Sequence, residues 1–322
     1  MGSAFIIYML DKHPGISIAC LDSLTYAGNL ANLSSLKDDP RFSFYLCDIT
    51  DRDGVSEVFS EARPDAVVNF AAESHVDRSI EDPGLFIRTN VLGTEVLLDA
   101  SLKAGVGRFH QISTDEVYGD LPLERPDLSF SEDSPLRPSS PYSASKAAAD
   151  LIALSYFRTY SLPVTISRSS NNYGPRQFPE KLIPRMLTNA LQGLPLPVYG
   201  DGLNVRDWMH VDDHARAVDL ILREGKPGEV YNAGARNELS NIEITKRLLS
   251  LLGKSEELIT YVEDRKGHDR RYAINPGKLE ALGWKSEVSF QAGLESTVSW
   301  YLAERDWWQD ILSGEYRRRR SL

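Results

Sequence analysis

The stretch FHQISTDEVYG, Phe109–Gly119, decides how this chain is read. A short strand-like run, Phe109–Ser113, passes directly into Thr114-Asp115-Glu116, so a hydroxyl and two adjacent carboxyls leave the C-terminal end of a strand. Open α/β sheets bind their ligands at that end. Four further runs read as strands: Ile16–Leu21, Phe42–Leu46, Ala66–Phe70 and Val164–Ser167. All five suit parallel strands covered on both faces. Helical patterns lie around them at Ala4–Leu10, Asp51–Ala62, Pro83–Ala104 and Ser143–Tyr160, with Asp51 as an N-cap. The alternation predicts an α/β fold with a doubly wound parallel sheet of Rossmann type and right-handed crossovers. Beyond about residue 168 the pattern loosens into turn-rich stretches. Helical patterns at Asp212–Arg223, Ile242–Leu252 and Phe290–Glu304 there alternate with short strand-like pieces.

Dinucleotide folds open with a strand, a glycine-rich turn and a helix, and the turn glycines let a pyrophosphate approach the backbone. This sequence begins Met1-Gly2-Ser3 and runs straight into a helical pattern. Gly2 precedes Asp22 by 20 residues, about the interval between the last turn glycine and the ribose-binding acid. The sequence therefore reads as starting at that last glycine, with the first strand and the rest of the glycine turn missing. The expectation from that reading is weak cofactor retention and low stability.

Composition narrows the function classes. A net charge of −10 argues against a nucleic-acid protein, which needs a positive surface. No apolar run approaches 18 residues, and Met1 is not followed by the pattern of a signal peptide, so a cytoplasmic protein without a membrane span is expected. Cys20 and Cys47 are too few for a disulfide framework, match no metal spacing, and read as small core residues. Arg317–Arg320 reads as a solvated charge run, Trp307-Trp308 as C-terminal packing, and no metal site is expected.

A second motif is Tyr142-Ser143-Ala144-Ser145-Lys146, with Pro141 suited to the first turn of a helix. Tyr142 and Lys146 are then four apart on one helix face. An ammonium near a phenol stabilises the phenolate and makes Tyr142 a candidate base for an alcohol being oxidised. Two carboxyls in unlike environments, Asp115 and Glu116, can divide acid and base work. Each motif alone is weak: Thr-Asp-Glu also suits a polar turn, and Tyr-x-x-x-Lys is common.

Together with longer segments they carry a resemblance. Leu21–Asn29 (LDSLTYAGN), Cys47–Ile49, Ala71–Ser79 (AAESHVDRS), Ser113–Gly119, Tyr142–Lys146, Ser170–Pro175 (SNNYGP), Pro179–Pro184 (PEKLIP), Val205–Trp208 and Asp264–Tyr272 (DRKGHDRRY) run almost end to end. On these segments the sequence resembles the dTDP-glucose 4,6-dehydratases of the extended short-chain dehydrogenase/reductase superfamily. Lys266 stands where many relatives carry proline.

The resemblance implies NAD as cofactor and dTDP-glucose, or a similar nucleotide sugar, as substrate. It implies oxidation at C4, elimination of water across C5 and C6, and hydride return to C6. Tyr142 with Lys146 would act at the 4-hydroxyl, Glu116 would take the C5 proton, Asp115 would protonate the leaving hydroxyl, and Thr114 would orient the sugar. The cofactor would be held by Gly2, Asp22, Ser23, Leu24, Thr25, Asp48, Ile49, Phe70, Ala71, Ala72, Ser74, Thr89 and Asn172, together with Tyr142 and Lys146. The nucleotide sugar would meet Ser74, Thr114, Asn171, Lys181, Leu182, Pro197, Val198, Tyr199, Arg206, Asn241, Asp264, Arg265, His268 and Asp269. Arg206 and Arg265 suit phosphate oxygens by their forked donors, and an acid at Asp22 favours NAD over NADP. The implied division is an NAD-binding domain over 1–167, with returning segments near 204–234, and a nucleotide-sugar-binding lobe over 168–203 and 235–322. A homodimer is implied by the resemblance alone. Two alternatives remain open: another nucleotide-sugar epimerase or decarboxylase of this fold, or an inactive nucleotide-sugar-binding protein. For His75, His268 and the Asp264-Arg265 pair, ordinary hydrogen bonding or surface pairing also remains open.

Overall fold

The computed structural model describes residues 1–318, so Arg319 and Arg320 of the basic run lie outside the described residues. The chain opens with α1 (Gly2–Lys12), then β1 (Ile18–Asp22), β2 (Phe42–Leu46), α2 (Arg52–Ala62) and β3 (Ala66–Asn69). Asp51 caps α2, its carboxylate accepting the Gly54 amide. Pro83–Ala104 is continuous but not uniform. After α3 (Val76–Glu81) come α4 (Pro83–Phe86), a π-helical turn (Ile87–Leu92) and α5 (Gly93–Ala104). The sequence pattern predicts one helix here. The turn widens where buried Asn90 sends its side chain to other elements, and π-turns of this kind gather at functional sites.

The catalytic half follows with β4 (Arg108–Thr114), α6 (Pro141–Tyr160) and β5 (Val164–Ser169). Pro141 stands in the first turn of α6, as expected. A capping box between Ser140 and Ser143 fixes where the helix begins. Next are β6 (Asn171–Tyr173), α7 (Leu182–Gln192), β7 (Leu196–Tyr199), β8 (Val205–His210), α8 (Val211–Glu224), β9 (Val230–Ala233), β10 (Glu238–Ser240), α9 (Asn241–Leu252) and β11 (Ile259–Val262). The chain closes with α10 (Gly277–Glu280), α11 (Phe290–Ala303) and α12 (Arg305–Ser313).

The strands of the first half are parallel, as expected. They form two hydrogen-bonded groups, β1–β2 and β3–β4–β5–β9. Among the described residues no strand pairs β1 with β3. Instead α1 packs on both groups: Phe5 and Met9 meet Val68 and Phe70, while Ile6 and Leu10 meet Cys20 and Phe42. Helices α2, α5 and α6 cover the opposite side through Val55, Phe59, Leu97, Leu98 and Ala153.

A second core lies among α7, α9, α11 and α12, around Ile183, Leu187, Leu248, Leu294 and Tyr301. It supports the short sheets β6–β8–β10 and β7–β11. Trp308 is 2% exposed within it, and Trp307 stacks edge-on to Trp300, so both tryptophans pack as expected. Cys20 and Cys47 are unpaired and pack against core clusters. Burial pushes the Cys20 thiol up to about 12 and raises that of Cys47. No described helix is long and apolar enough to cross a membrane.

Candidate active site

The site grows from the C-terminal ends of the parallel strands. β4 is buried along nearly its whole length and delivers Thr114, 7% exposed, to a 3₁₀ turn over Asp115–Tyr118. The Thr114 hydroxyl accepts the Glu116 amide at 3.3 Å, so this turn holds both carboxyls side by side. Their surroundings differ. Asp115 is 2% exposed, and burial raises its pKa well above the carboxylate range, with Glu116 and Asp207 adding like charge. Its Oδ2 has no protein partner. Burial also raises Glu116; Arg206 opposes the rise in both acids, while Lys181 and Arg265 oppose it in Glu116. One acid is thus held toward its neutral form, and its neighbour faces more positive charge.

Tyr142 and Lys146 lie on the first two turns of α6. The Tyr142 phenol is buried beside Phe86, and its pKa is raised by burial and by Glu116; Thr114 pulls the other way. Lys146 is 5% exposed, and its Nζ donates to the Ile112 carbonyl of β4 at 2.6 Å. Burial lowers its pKa to about 8. This corrects one expectation. The ammonium shares the helix face with the phenol but is anchored to the β4 backbone, and Tyr142 stays a protonated phenol at neutral pH.

A cleft of about 1050 Å³, open to solvent, borders the acid turn at Glu116. Its wall includes Glu116 and eleven of the expected nucleotide-sugar residues: Ser74, Asn171, Lys181, Leu182, Pro197, Tyr199, Arg206, Asn241, Arg265, His268 and Asp269. Lys181 reaches across to donate to the Ser74 carbonyl at 2.7 Å, tying α7 to the loop after β3. Arg206 donates to the Asp269 carbonyl at 2.9 Å and lies over the Tyr272 ring. Arg265 pairs with Asp77, at 3.0 Å from Nη2, and not with Asp264. Asp264 instead takes His268 Nδ1 at 2.6 Å and stands outside the cleft wall, where it orients a histidine of that wall. His75 lines the same cleft, its Nε2 4.0 Å from Glu180. Val198 departs from expectation: β7 alternates, so Pro197 and Tyr199 face the cleft while the Val198 side chain is buried in the second core. No group of described side chains suits a metal ion.

The expected cofactor residues line the ends of the other strands. Asp22 closes β1 and accepts the Leu24 amide at 2.7 Å, holding Leu24 at a φ of +48°. Such strain at a non-glycine residue is typical of ligand-facing turns. Asp48 follows β2 and holds Thr50 through its amide and hydroxyl. Ile49 is a partial correction, because its side chain is buried against Gly93. Gly2 lies against Phe70, with 3.5 Å between the Cβ atoms a side chain there would bring together. Ala71 is held by Asn69, and Thr89 sits half-buried in the π-turn. Glu73 Oε2, Ser113 Oγ, Ser170 Oγ and Asn172 Oδ1 are buried without protein partners at the ends of β3, β4 and β5. Buried polar atoms are rarely left so, and a polar dinucleotide is a ligand that fits this row of orphans.

The sequence profile of the GDP-mannose 4,6 dehydratase family matches residues 1–297. The dTDP-glucose 4,6-dehydratase of Neisseria meningitidis serogroup B is 48% identical, over 99% of this chain and 95% of that one. That of Streptomyces antibioticus is 50% identical, over 97% and 92%. The chain belongs to the dTDP-glucose 4,6-dehydratase family. Among solved structures, DesIV dTDP-glucose 4,6-dehydratase from Streptomyces venezuelae, with NAD bound, has a TM-score of 0.92 at 49% identity, covering 96% of both chains. UDP-glucose 4-epimerase from Thermus thermophilus, also with NAD, scores 0.87 at 33% identity and covers 94% and 96%.

For a dehydratase of this family, three parts of the site are not among the expected site residues. Asn90 is 1% exposed; it accepts the Glu73 amide at 2.9 Å and donates to the Glu73 carbonyl and to Ser145 Oγ. It thereby clamps the loop after β3 to α6. Asp207 sits beside the Arg206 that the motif flags. Burial raises its pKa to about 6, and it contributes to the environment of Asp115. Tyr272 lies in the quoted DRKGHDRRY segment and enters the cleft wall. Only Asp207 and Tyr272 had a signal, as neighbours of residues already singled out.

Proposed function

We propose that this chain dehydrates dTDP-glucose to dTDP-4-keto-6-deoxyglucose with NAD as a resident hydride carrier. The observation that carries the reading is the adjacent carboxyl pair of unlike environment, with Glu116 in the cleft wall and the buried Tyr142 phenol beside Thr114 and Glu116. An epimerase needs the tyrosine and lysine but has no elimination for Asp115 and Glu116 to perform.

Asp22 to Thr25, Asp48, Phe70 to Ser74, Thr89 and Asn172 hold the cofactor, which supplies a hydride acceptor at C4 and the same hydride for C6. Tyr142 takes the proton of the sugar 4-hydroxyl. Its phenol is protonated in the free protein, so it acts as a base only as the phenolate, after giving its own proton to solvent, a loss that positive charge brought near it favours. Lys146, charged below about pH 8 and fixed by Ile112, is the protein's own cation on that helix face. Once C4 is a ketone, the hydrogen on C5 is acidic. Glu116 removes it, favoured as a carboxylate by Arg206 and Lys181. Asp115 gives its proton to the departing C6 hydroxyl, which its raised pKa allows at neutral pH. Thr114 orients the sugar from the head of the acid turn. Arg206, Arg265 and Lys181 provide cations for a diphosphate, and Pro197, Tyr199 and Asn241 flank the nucleotide.

The first-half segments with 204–234 form the cofactor domain, and the second core supports the nucleotide-sugar lobe. A homodimer is part of the same reading. Ile87, Leu92 and Leu151 are exposed on the neighbouring π-turn and α6, an apolar face that suits a second copy of this chain.

The test is incubation with dTDP-glucose and NAD, followed by mass detection of the sugar nucleotide. The reading expects loss of one water and a product that absorbs in alkali. An epimer of unchanged mass, or binding without turnover, would replace it with one of the alternatives.

A further inference from the structure

Behind the Tyr–Lys pair lies a buried ion pair that the reaction as described does not use. Asp150 is the next residue along the Lys146 face of α6, four positions on, and is wholly buried. Its Oδ2 accepts Arg168 Nε at 2.9 Å. Its Oδ1 is buried with no hydrogen-bond partner. Arg168 comes from β5, paired in register with Ser113 of β4, one residue before Thr114. The guanidinium also donates to Tyr118 Oη at 3.0 Å, and Tyr118 donates to Asn232 Oδ1 at 2.7 Å. The arginine is therefore fixed on both sides, and it holds the carboxylate in one orientation.

We infer that Asp150 is a positioning residue for the proposed chemistry: its carboxylate, held by Arg168, keeps the ammonium of Lys146 charged on the helix face it shares with Tyr142. This rests on the Tyr142–Lys146 reading above. Lys146 has one hydrogen-bonded anchor, the uncharged Ile112 carbonyl, and burial works against its charge. Ionisable groups packed here are Tyr142 and Asp150 from α6, Arg168 from β5, and Asp115, Glu116 and Tyr118 from the turn after β4. Asp150 is the charge that acts on Lys146 in favour of the ammonium; Asp115 and Glu116 act on the phenol.

The experiment is a titration of Lys146 by NMR in protein carrying ¹³Cε-lysine, with Lys146→Met identifying the signal. Asp150→Asn keeps shape and a hydrogen-bond acceptor but removes the charge. It should lower the Lys146 midpoint by at least about one pH unit, while Asp150→Glu holds it within about half a unit of the unaltered protein. The alkaline limb of kcat should move to lower pH in Asp150→Asn by the same amount, with KM for dTDP-glucose little changed. A folded Asp150→Asn with an unmoved midpoint would overturn the inference, as would an equal shift in Asp150→Glu. If Asp150→Asn does not fold, Asp150→Glu decides alone: a midpoint kept in place supports the role of charge, and one displaced to acid overturns it. The titration needs no turnover. A chain that fails to dehydrate dTDP-glucose would sink the functional reading and leave this result standing.

Discussion

Two groups of parallel strands, β4–β5 and β1–β2, read alike in sequence and end in different surroundings. β4 and β5 are buried almost throughout, whereas β1 and β2 alternate between half-buried and exposed positions. Each part ends in an acid, Asp115 after β4 and Asp22 at the end of β1. Asp115 is dry, near like charges, and lacks a partner for one oxygen. Asp22 is exposed in the free chain; partial desolvation still raises its carboxyl, and the Leu24 amide opposes that rise only in part. The difference separates chemistry from recognition. Proton transfer needs a carboxyl whose neutral form is favoured, which demands a buried strand end. Gripping a ribose needs only a fixed acceptor that the ligand can reach.

That contrast can be broken by substitution. Glu116→Gln should lower kcat by about 10²–10⁴-fold, with NAD binding unchanged. Steady-state kinetics with cofactor titration checks this, and a loss below tenfold would remove Glu116 from the chemistry. Asp22→Ala should do the reverse: NAD affinity falls by roughly tenfold, about 1.4 kcal/mol, while kcat at saturating NAD holds. Calorimetric titration of NAD reads it. Asn90→Ala lies between the two regions and should cost about 1–3 kcal/mol in chemical denaturation, because it leaves the buried Glu73 amide unpaired.

The smallest effect is in pH dependence. Lys146 has its folded pKa lowered from 10.5 to about 8, so its charge is present below that value and lost above it. An alkaline limb of kcat near pH 8 is expected, and Lys146→Arg should move it upward. The stability side has the opposite sign from the usual carboxylate. Asp115 is raised on folding, so the unfolded chain gives up its proton first. Stability from this group is present at low pH and lost as pH rises. Asp115→Asn should therefore raise Tm at neutral pH while it removes activity.

Much of this was legible in the sequence. β2 runs over the expected Phe42–Leu46, and α6 ends at the expected Tyr160, because apolar runs and capping signals are local. Tyr142 and Lys146 share a face because a helix repeats every four residues or so. What sequence could not supply was the third dimension of each environment. The cations that act on these acids come from far along the chain, Arg206 on both and Lys181 on Glu116. Lys146 finds its anchor in a carbonyl 34 residues earlier, and carbonyls carry no sequence signal. Val198 and Ile49 were read from a motif, and strand alternation or close packing against a glycine turned their side chains into the core. The π-turn at Ile87–Leu92 looks like ordinary helix by periodicity, and only the contacts of Asn90 reveal its purpose.

The central claim is that Asp115 and Glu116 stand in different protonation states at the pH where the enzyme works. Carboxyl ¹³C titration of the free protein, with Asp115→Asn to assign the signal, measures this directly. The account predicts an Asp115 carboxyl still protonated at neutral pH. An Asp115 signal that titrates in the ordinary aspartate range would contradict it.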